Sequence, residues 1–412
     1  MKRMPLIDTI EPGDLLLPGQ VLGEPTALLE SVFGEAQRLE GLRLFVGMGL
    51  GTVLERAPAN IALMSFVGMG SNAGLLADGR LSLIPCHMSD LGQMVAEGPL
   101  RPDVAMVLVS PPDSTGMCSL GVASDYIWPA VGAARTVLAE INSNVPRVAG
   151  DTPIPFERLD GYVETARPLP EYPRAKPSAT EERIAARVAE FVRDGTCIQI
   201  GVGRLGEAVL RAVAGRRNLG IHAGMLGETI LEMMGDGVIT NACKKIDTGL
   251  SVAGSILGGA HAVALAAAEP NLRLRAVNYT NASDVIARID DFVSINSAIE
   301  VDVFGQINAE VVNGRYVGGI GGSVDYMRAA MRSARGRSIV ALPAVARGGV
   351  SRIVTQVARV TASRSDVDVV ITEHGAAELR GVSEGERANR LIELAAPEHR
   401  EELRGAARSL GL

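Results

Sequence analysis

Aromatic residues are scarce. Phe, Trp and Tyr together make up 3% of the 412 residues, so the core has to be assembled from Ala, Val, Leu and Ile. Cysteine is rarer still: Cys86, Cys118, Cys197 and Cys243 stand far apart and form no C-x-x-C. That spacing argues against a zinc or redox motif and for reduced, mostly buried thiols in a cytoplasmic protein. No charge-free apolar run reaches the ~18 residues of a membrane span. The first residues, MKRMPLIDTIEPGD, hold no apolar stretch long enough for a signal peptide. There is no long Lys/Arg tract, and the net charge is −7, which argues against nucleic acid as the partner but leaves room for a small anionic ligand. The five histidines show no metal-ligand spacing. G-x-S-x-G and Walker A sequences are missing too, so a nucleophile-elbow hydrolase and a P-loop enzyme have no support.

What is abundant is glycine, 47 residues, and short runs of Val, Ile and Leu. VAMVLVS (Val104–Ser110), TCIQI (Thr196–Ile200), SIVAL (Ser338–Leu342) and VDVVIT (Val367–Thr372) alternate with helical stretches. Short, continuous apolar runs predict strands buried on both faces, hence open α/β domains with largely parallel sheets. The segment Glu164–Glu182 carries four prolines and few apolar residues, the composition of a linker. It divides the chain into domains 1–175 and 176–412. Ser178 and Glu181 at its end form a capping-box pattern, opening a helix that Gly195 is expected to close. PGDLLLPGQVLGEPTALLESV (Pro12–Val32) resembles RDGTCIQIGVGRLGEAVLRAV (Arg193–Val213), so the two domains are expected to share a fold.

Several motifs lie where a strand passes into a helix. GVGRLG (Gly201–Gly206) has the G-x-G-x-x-G form, yet the next strand ends in Ala223-Gly224 rather than an acid, so a close approach to some other ligand fits better than a dinucleotide. VGGIGGSVDYMRAA (Val317–Ala330) is a second glycine loop. Four glycines there cost backbone entropy, and donation from their N–H groups to a ligand oxygen is the use that offsets it; a purely structural loop is the alternative. SPPDSTGMCSLG (Ser110–Gly121) reads equally as a binding edge or a stiff connection. Glu373 and His374 are neighbours on an extended chain and point apart, so Glu373 is expected to anchor its own loop. His222 reads as a structural histidine. Leu219–His222 reads as a strand running through Ala223 and Gly224 into a helix, with Glu228 about one turn inside it.

Taken in order, NLGIHAGMLGE, GVITNACKKIDTG, SINSAIEVDVFGQINAE, GGIGGSVDYMRAA and DVDVVITEHGAAELRG, with the segments quoted above, resemble the acetyl-CoA hydrolase / 4-hydroxybutyrate CoA-transferase group of family I CoA-transferases. The resemblance spans nearly the whole chain and is looser before Val104. It implies two similar CoA-transferase-type domains, an active site between them, coenzyme A or acyl-CoA as substrate without a permanently bound cofactor or metal, a small carboxylate as second substrate, and a homodimer or larger homo-oligomer. It also implies a reactive glutamate at the position of Gly224, where this chain departs. Arg204 and Gly206 depart as well, as do Glu228 and Thr229. Gly201, Val202 and Gly203 match the flexible loop beside the site. Gly319, Gly321 and Gly322 match the second loop, with the Gly322 N–H in the oxyanion hole, and Asn281 matches an asparagine beside the reacting carbonyl.

Three functions follow from this pattern. One is an acyl-CoA hydrolase, or an enzyme of a neighbouring carbon–carbon bond, that uses Gly322, Asn281 and Glu228 without a covalent intermediate. Another is a CoA-transferase whose carboxylate has moved to Glu228 or Glu373. The third is a non-catalytic CoA-binding partner subunit. A dinucleotide oxidoreductase ranks last.

Overall fold

The computed structural model describes residues 6–412. They fall into two compact units. The first holds the described residues up to Pro173 together with Gly224–Leu231 and Leu250–Ala282; the second holds Arg174–Ala223, Glu232–Gly249 and Ser283–Leu412.

The first unit is built on β1 (Leu15–Pro18), β2 (Arg43–Val46), β3 (Ala62–Ser65), β4 (Leu81–Leu83), β5 (Val104–Val109), β6 (Thr136–Asn142) and β7 (Gly161–Thr165). They form one sheet in the order β4-β3-β2-β1-β5-β6-β7, every neighbouring pair parallel. Every residue of β5 and β6 is buried; β5 is apolar throughout, as expected of a central parallel strand, while β6 also buries Thr136, Glu140 and Asn142.

In the second unit β8 (Cys197–Ile200), the start of β9 (Gly220–Leu226, which passes to the first unit at Gly224), β10 (Phe292–Ser297), β11 (Arg337–Ala341), β12 (Val369–Thr372) and β13 (Gly375–Glu378) follow the order β9-β8-β10-β11-β12-β13. All pairs are parallel except the β12–β13 edge hairpin. The arrangement β9-β8-β10-β11-β12 repeats β2-β1-β5-β6-β7. The pseudo-repeat read from residues 12–32 and 193–213 is therefore a repeat of topology. α1 (Thr26–Gly34) leaves the first strand of one unit, and α3 (Arg204–Val213) the first strand of the other.

Two local expectations need correction. The helix opened by the capping box, α2, runs only over Ala179–Ala189. Both reciprocal bonds of the box are present: the Ser178 hydroxyl accepts from the Glu181 N–H, and Glu181 accepts from the Ser178 N–H. Phe191 and Val192 lie in the turns that follow, and Gly195 adopts φ 79° just before β8. The strand read as ending at His222 continues to Leu226, so Gly224 sits inside β9. The helix after it, α4 (Glu228–Gly235), begins at Glu228 itself. Glu228 is thus the first helical residue, where a carboxylate is favoured by the helix dipole.

Candidate active site

The order of the second sheet reverses at β8, whose neighbours β9 and β10 lead away in opposite directions. Ligands of open α/β sheets bind outside the carboxyl ends of the strands at such a switch point. A cavity of about 190 Å³ opens there, lined by Ile200 at the end of β8, by the loop Gly201–Gly206, by Ile295–Ala298 at the end of β10, and by Glu181, Pro343 and Arg352.

The loop is shaped by its glycines. Gly203 has φ 123° and ψ −173°, a conformation essentially confined to glycine. A side chain on Gly206 would run into the carbonyl oxygen of Gly201, so α3 closes tightly onto the end of β8 only because position 206 is bare. Gly201 donates to the Ile295 carbonyl and Glu207 to the Gly203 carbonyl. The first N–H groups of α3 have no partner within the helix itself.

Arg204 is the first residue of α3, where a cation opposes the helix dipole. Its Nε lies 3.2 Å from Glu181 Oε1, an ion pair that offsets the conflict. Asn296 is 7% exposed and spends its amide on neighbours: it donates to Gln199 Oε1 and Ser294 Oγ and accepts from Gln199 Nε2. Arg352 lines the cavity from just before the strand Ile353–Val354, which pairs with Glu300–Asp302. Its backbone N–H donates to the Ala344 carbonyl and its carbonyl accepts from Val301. Burial, and then the like charge of Arg204, push the Arg352 guanidinium below its ordinary value, while Glu181, Glu300 and Glu373 act the other way.

The second glycine loop prepares α6 (Ser323–Arg332), whose N-cap is Gly322 at φ −99° and ψ −3°. The Gly318 N–H donates to Glu310, and Gly322 uses its carbonyl to accept from Tyr326. In the first unit Asn281 closes the short helix α5 (Val277–Thr280), 2% exposed, with its Oδ1 accepting from Thr280 Oγ1 at 3.0 Å. Glu228 lies against Gly258, and its carboxylate is within 4.8 Å of a ring nitrogen of His261. Glu373 does not anchor its own loop with this bond but reaches another segment: its Oε2 accepts from the Ala344 N–H, 29 positions away, at 2.9 Å. His222 is fully buried.

Of the residues singled out in the sequence, Gly201, Val202 and Gly203 come together in the cavity, and Gly319, Gly321 and Gly322 share the turn before α6. Asn281 and Glu228 belong to the first unit. Sequence reading missed Arg352, Glu181 and Asn296 as walls of the cavity. Arg352 lies 148 positions beyond Arg204 along the chain, and only the three-dimensional fold joins them.

The pseudo-repeat gives the first unit a corresponding place, and there the space is filled. Between the ends of β1 and β2 only about 10 Å³ remains, room for about one water. Gln20 donates to Asp125 Oδ2 at 2.9 Å and accepts from the Met48 N–H at 3.0 Å. Glu24, 3% exposed, accepts from Thr26 Oγ1, and burial pushes its carboxyl up to about 7.

The fold and site define a protein of two α/β units with repeated topology, a glycine-walled cavity at one switch point and a second glycine loop before a helix. The sequence matches the acetyl-CoA hydrolase/transferase N-terminal domain over residues 4–170 and the acetyl-CoA hydrolase/transferase C-terminal domain over residues 258–407, and the chain belongs to this family. It is 35% identical to the 4-hydroxybutyrate coenzyme A transferase of Clostridium kluyveri, covering 96% of this chain and 94% of that protein. It is 30% identical to the succinyl-CoA:cyclohexane-1-carboxylate CoA transferase of Geobacter metallireducens, covering 97% and 93%. The crystal structure of RipA from Yersinia pestis superposes with a TM-score of 0.93 at 32% identity, covering 98% of this chain and 96% of that one. Among the described residues no helix is long and apolar enough to cross a membrane.

Proposed function

We propose that the chain is an acyl-CoA thioester-processing enzyme that works without a covalent glutamyl intermediate, in the manner of a hydrolase. The observation that carries this reading is Gly224. The family resemblance puts a reactive glutamate at this place in the strand, and glycine has no carboxylate to attack with. What remains is a set of donors. The Gly322 N–H and the Asn281 amide receive the carbonyl oxygen as it gains charge, and donors fixed in advance are often the largest single contribution to such a reaction. Water attacks the thioester carbon, with Glu228 taking its proton as base. A C–O bond forms, the C–S bond breaks, and the proton passes from Glu228 to the departing thiolate, leaving a carboxylic acid and free coenzyme A.

The two halves 1–175 and 176–412, a cytoplasmic setting and a homo-oligomeric state go with this proposal. The names of the relatives favour a second reading, transfer to an acceptor acid through a relocated carboxylate. Glu228, the first residue of α4, and Glu373 are the two carboxylates in question.

The test is thiol release from a panel of acyl-CoAs, with and without excess acetate or succinate, with products identified by mass spectrometry. Free coenzyme A without an acceptor supports hydrolysis. New acyl-CoA formed only with an acceptor replaces it by the second reading, and no turnover across the panel removes both.

A further inference from the structure

The helix Ala260–Ala268 reads AHAVALAAA, and His261 is its one polar side chain. The residue is exposed and stands in the first turn, where the helix dipole favours anionic side chains. An imidazole there adds nothing to the start of the helix. What it faces is Glu228, the first residue of α4: a carboxylate oxygen and a ring nitrogen lie within 4.8 Å of each other. Both residues belong to the first unit.

Backbone sets the spacing of the pair. The Leu257 N–H donates to the Leu226 carbonyl at 2.8 Å, which ties the end of β9 to the segment leading into the helix. The Tyr172 N–H donates to the Gly258 carbonyl at 3.0 Å. Gly258 has φ 148°. A side chain there would run into the Ala262 methyl group and stand 3.7 Å from Glu228 Oε2. The bare position thus lets the first turn of the helix and the Glu228 carboxylate close in from two sides. Two further carboxylates belong to these segments: Glu171 lies against Gly259, and Glu232 follows one turn along α4. Glu232 is held by Arg174, whose terminal nitrogens donate to its two oxygens at 3.1 and 2.9 Å. Glu228 and His261 therefore make a two-group site, enough to share a proton and one short of the three protein ligands of a catalytic zinc ion.

We propose that His261 is the proton relay of Glu228 in thioester hydrolysis, a positioning residue that acts through this carboxylate and not on the substrate. The proposal rests on the reading of the chain as a hydrolase with Glu228 as base. Water gives a proton to the Glu228 carboxylate as its oxygen bonds to the thioester carbon. The C–S bond breaks, and the thiolate leaves with the electron pair. The Glu228 carboxyl hands its proton to the neutral His261 ring, directly or through one water. The exposed imidazolium passes it through solvent to the thiolate. Glu228 is then a carboxylate again, the ring is neutral, and the products are a carboxylic acid and free coenzyme A.

The experiment measures thiol release by the full chain and by His261→Ala, Glu228→Gln and the double variant, on the panel of acyl-CoAs, with thermal unfolding as the check on folding. His261→Ala is expected to lower kcat by about 10- to 100-fold and to leave KM within about twofold. Added imidazole is expected to restore most of this loss, since the exposed position leaves room for it, and none of the loss in Glu228→Gln. The double variant is expected to be no slower than Glu228→Gln alone, because a relay has nothing to carry without its base. If His261→Ala does not fold, His261→Gln, which fills much of the same space and takes up no proton, decides by the same fall in kcat and the same lack of additivity. A folded His261 variant at the wild-type rate, a loss that imidazole does not rescue in His261→Ala, or losses that multiply in the double variant overturn the relay and leave the proposed function standing. Undiminished turnover in Glu228→Gln removes the base and the relay together. Wild type without turnover across the panel removes the hydrolase reading and the relay with it.

Discussion

Glu181 closes the capping box of α2 with one carboxylate oxygen and faces Arg204 with the other, 2.7 Å from the Ser178 N–H and 3.2 Å from Arg204 Nε. One side chain thus starts a helix and steadies the glycine loop. The two roles separate by substitution. Glutamine keeps the reciprocal bond of a capping box, and the Arg204 side chain is 62% exposed, so Glu181→Gln is expected to cost under about 1 kcal/mol. Glu181→Ala loses the box as well and is expected to cost about 1 kcal/mol more. Urea unfolding of both variants checks this; equal costs would mean that the cap contributes nothing.

Gly206→Ala sets two effects against each other. Alanine favours a helix over glycine by about 1 kcal/mol, but here its methyl group would meet the Gly201 carbonyl oxygen. Backbone cannot move aside as a flexible side chain can, so the collision wins, and a net loss of about 1–3 kcal/mol is expected. A variant as stable as wild type would show that α3 tilts freely.

Gly322 has φ −99°, which any residue adopts, so Gly322→Val is expected to leave the melting temperature within a few degrees of wild type. If its N–H serves the carbonyl oxygen, thiol release should fall by about 100-fold or more. An active, folded Gly322→Val protein takes Gly322 out of the site.

Gly224 lies half-buried within β9. Gly224→Glu returns a carboxylate to the strand. The expected outcome is acyl transfer to acetate or succinate, with a covalent adduct on residue 224 seen by mass spectrometry. A soluble variant without the adduct means that further residues around the thioester have diverged.

Glu24 gives the first unit a pH dependence. Burial raises its folded value from 4.5 to about 7. Below about pH 4.5 folded and unfolded chains both hold the proton and stability is complete. Between about 4.5 and 7 the unfolded chain releases it first, and stability falls as the pH rises. The loss amounts to roughly 3 kcal/mol at most. Asp125, raised by burial to about 6, adds a fall in the same direction. Glu24→Gln is expected to flatten the decline and to be more stable than wild type at pH 8. Denaturation at several pH values between 5 and 8 reads the difference, and parallel curves would contradict it.

The sheets were legible because parallel strands buried on both faces must be apolar throughout, as Val104–Val109 is. The capping box was legible because both of its partners lie within four residues. The end of β9 was not. Ala223 and Gly224 carry turn-like composition, yet β9 keeps its extended form to Leu226. The return of Leu250–Ala282 to the first unit leaves no mark on composition. Arg352 was invisible as a wall of the cavity for a related reason: its backbone is placed by Ala344 and Val301, residues that composition and spacing do not connect to the glycine loop.

The two units share a topology but not an opening: about 190 Å³ beside β8, about 10 Å³ beside β1. In the first, Gln20 and Glu24 stand in their own doorway. A duplicated architecture has in this way kept one opening and filled the other. Changes at Gln20 and Glu24 are expected to register as stability, as the pH profile of Glu24 should. Replacing both Gln20 and Glu24 by smaller residues would reopen a vestibule that the chain now keeps shut with its own side chains.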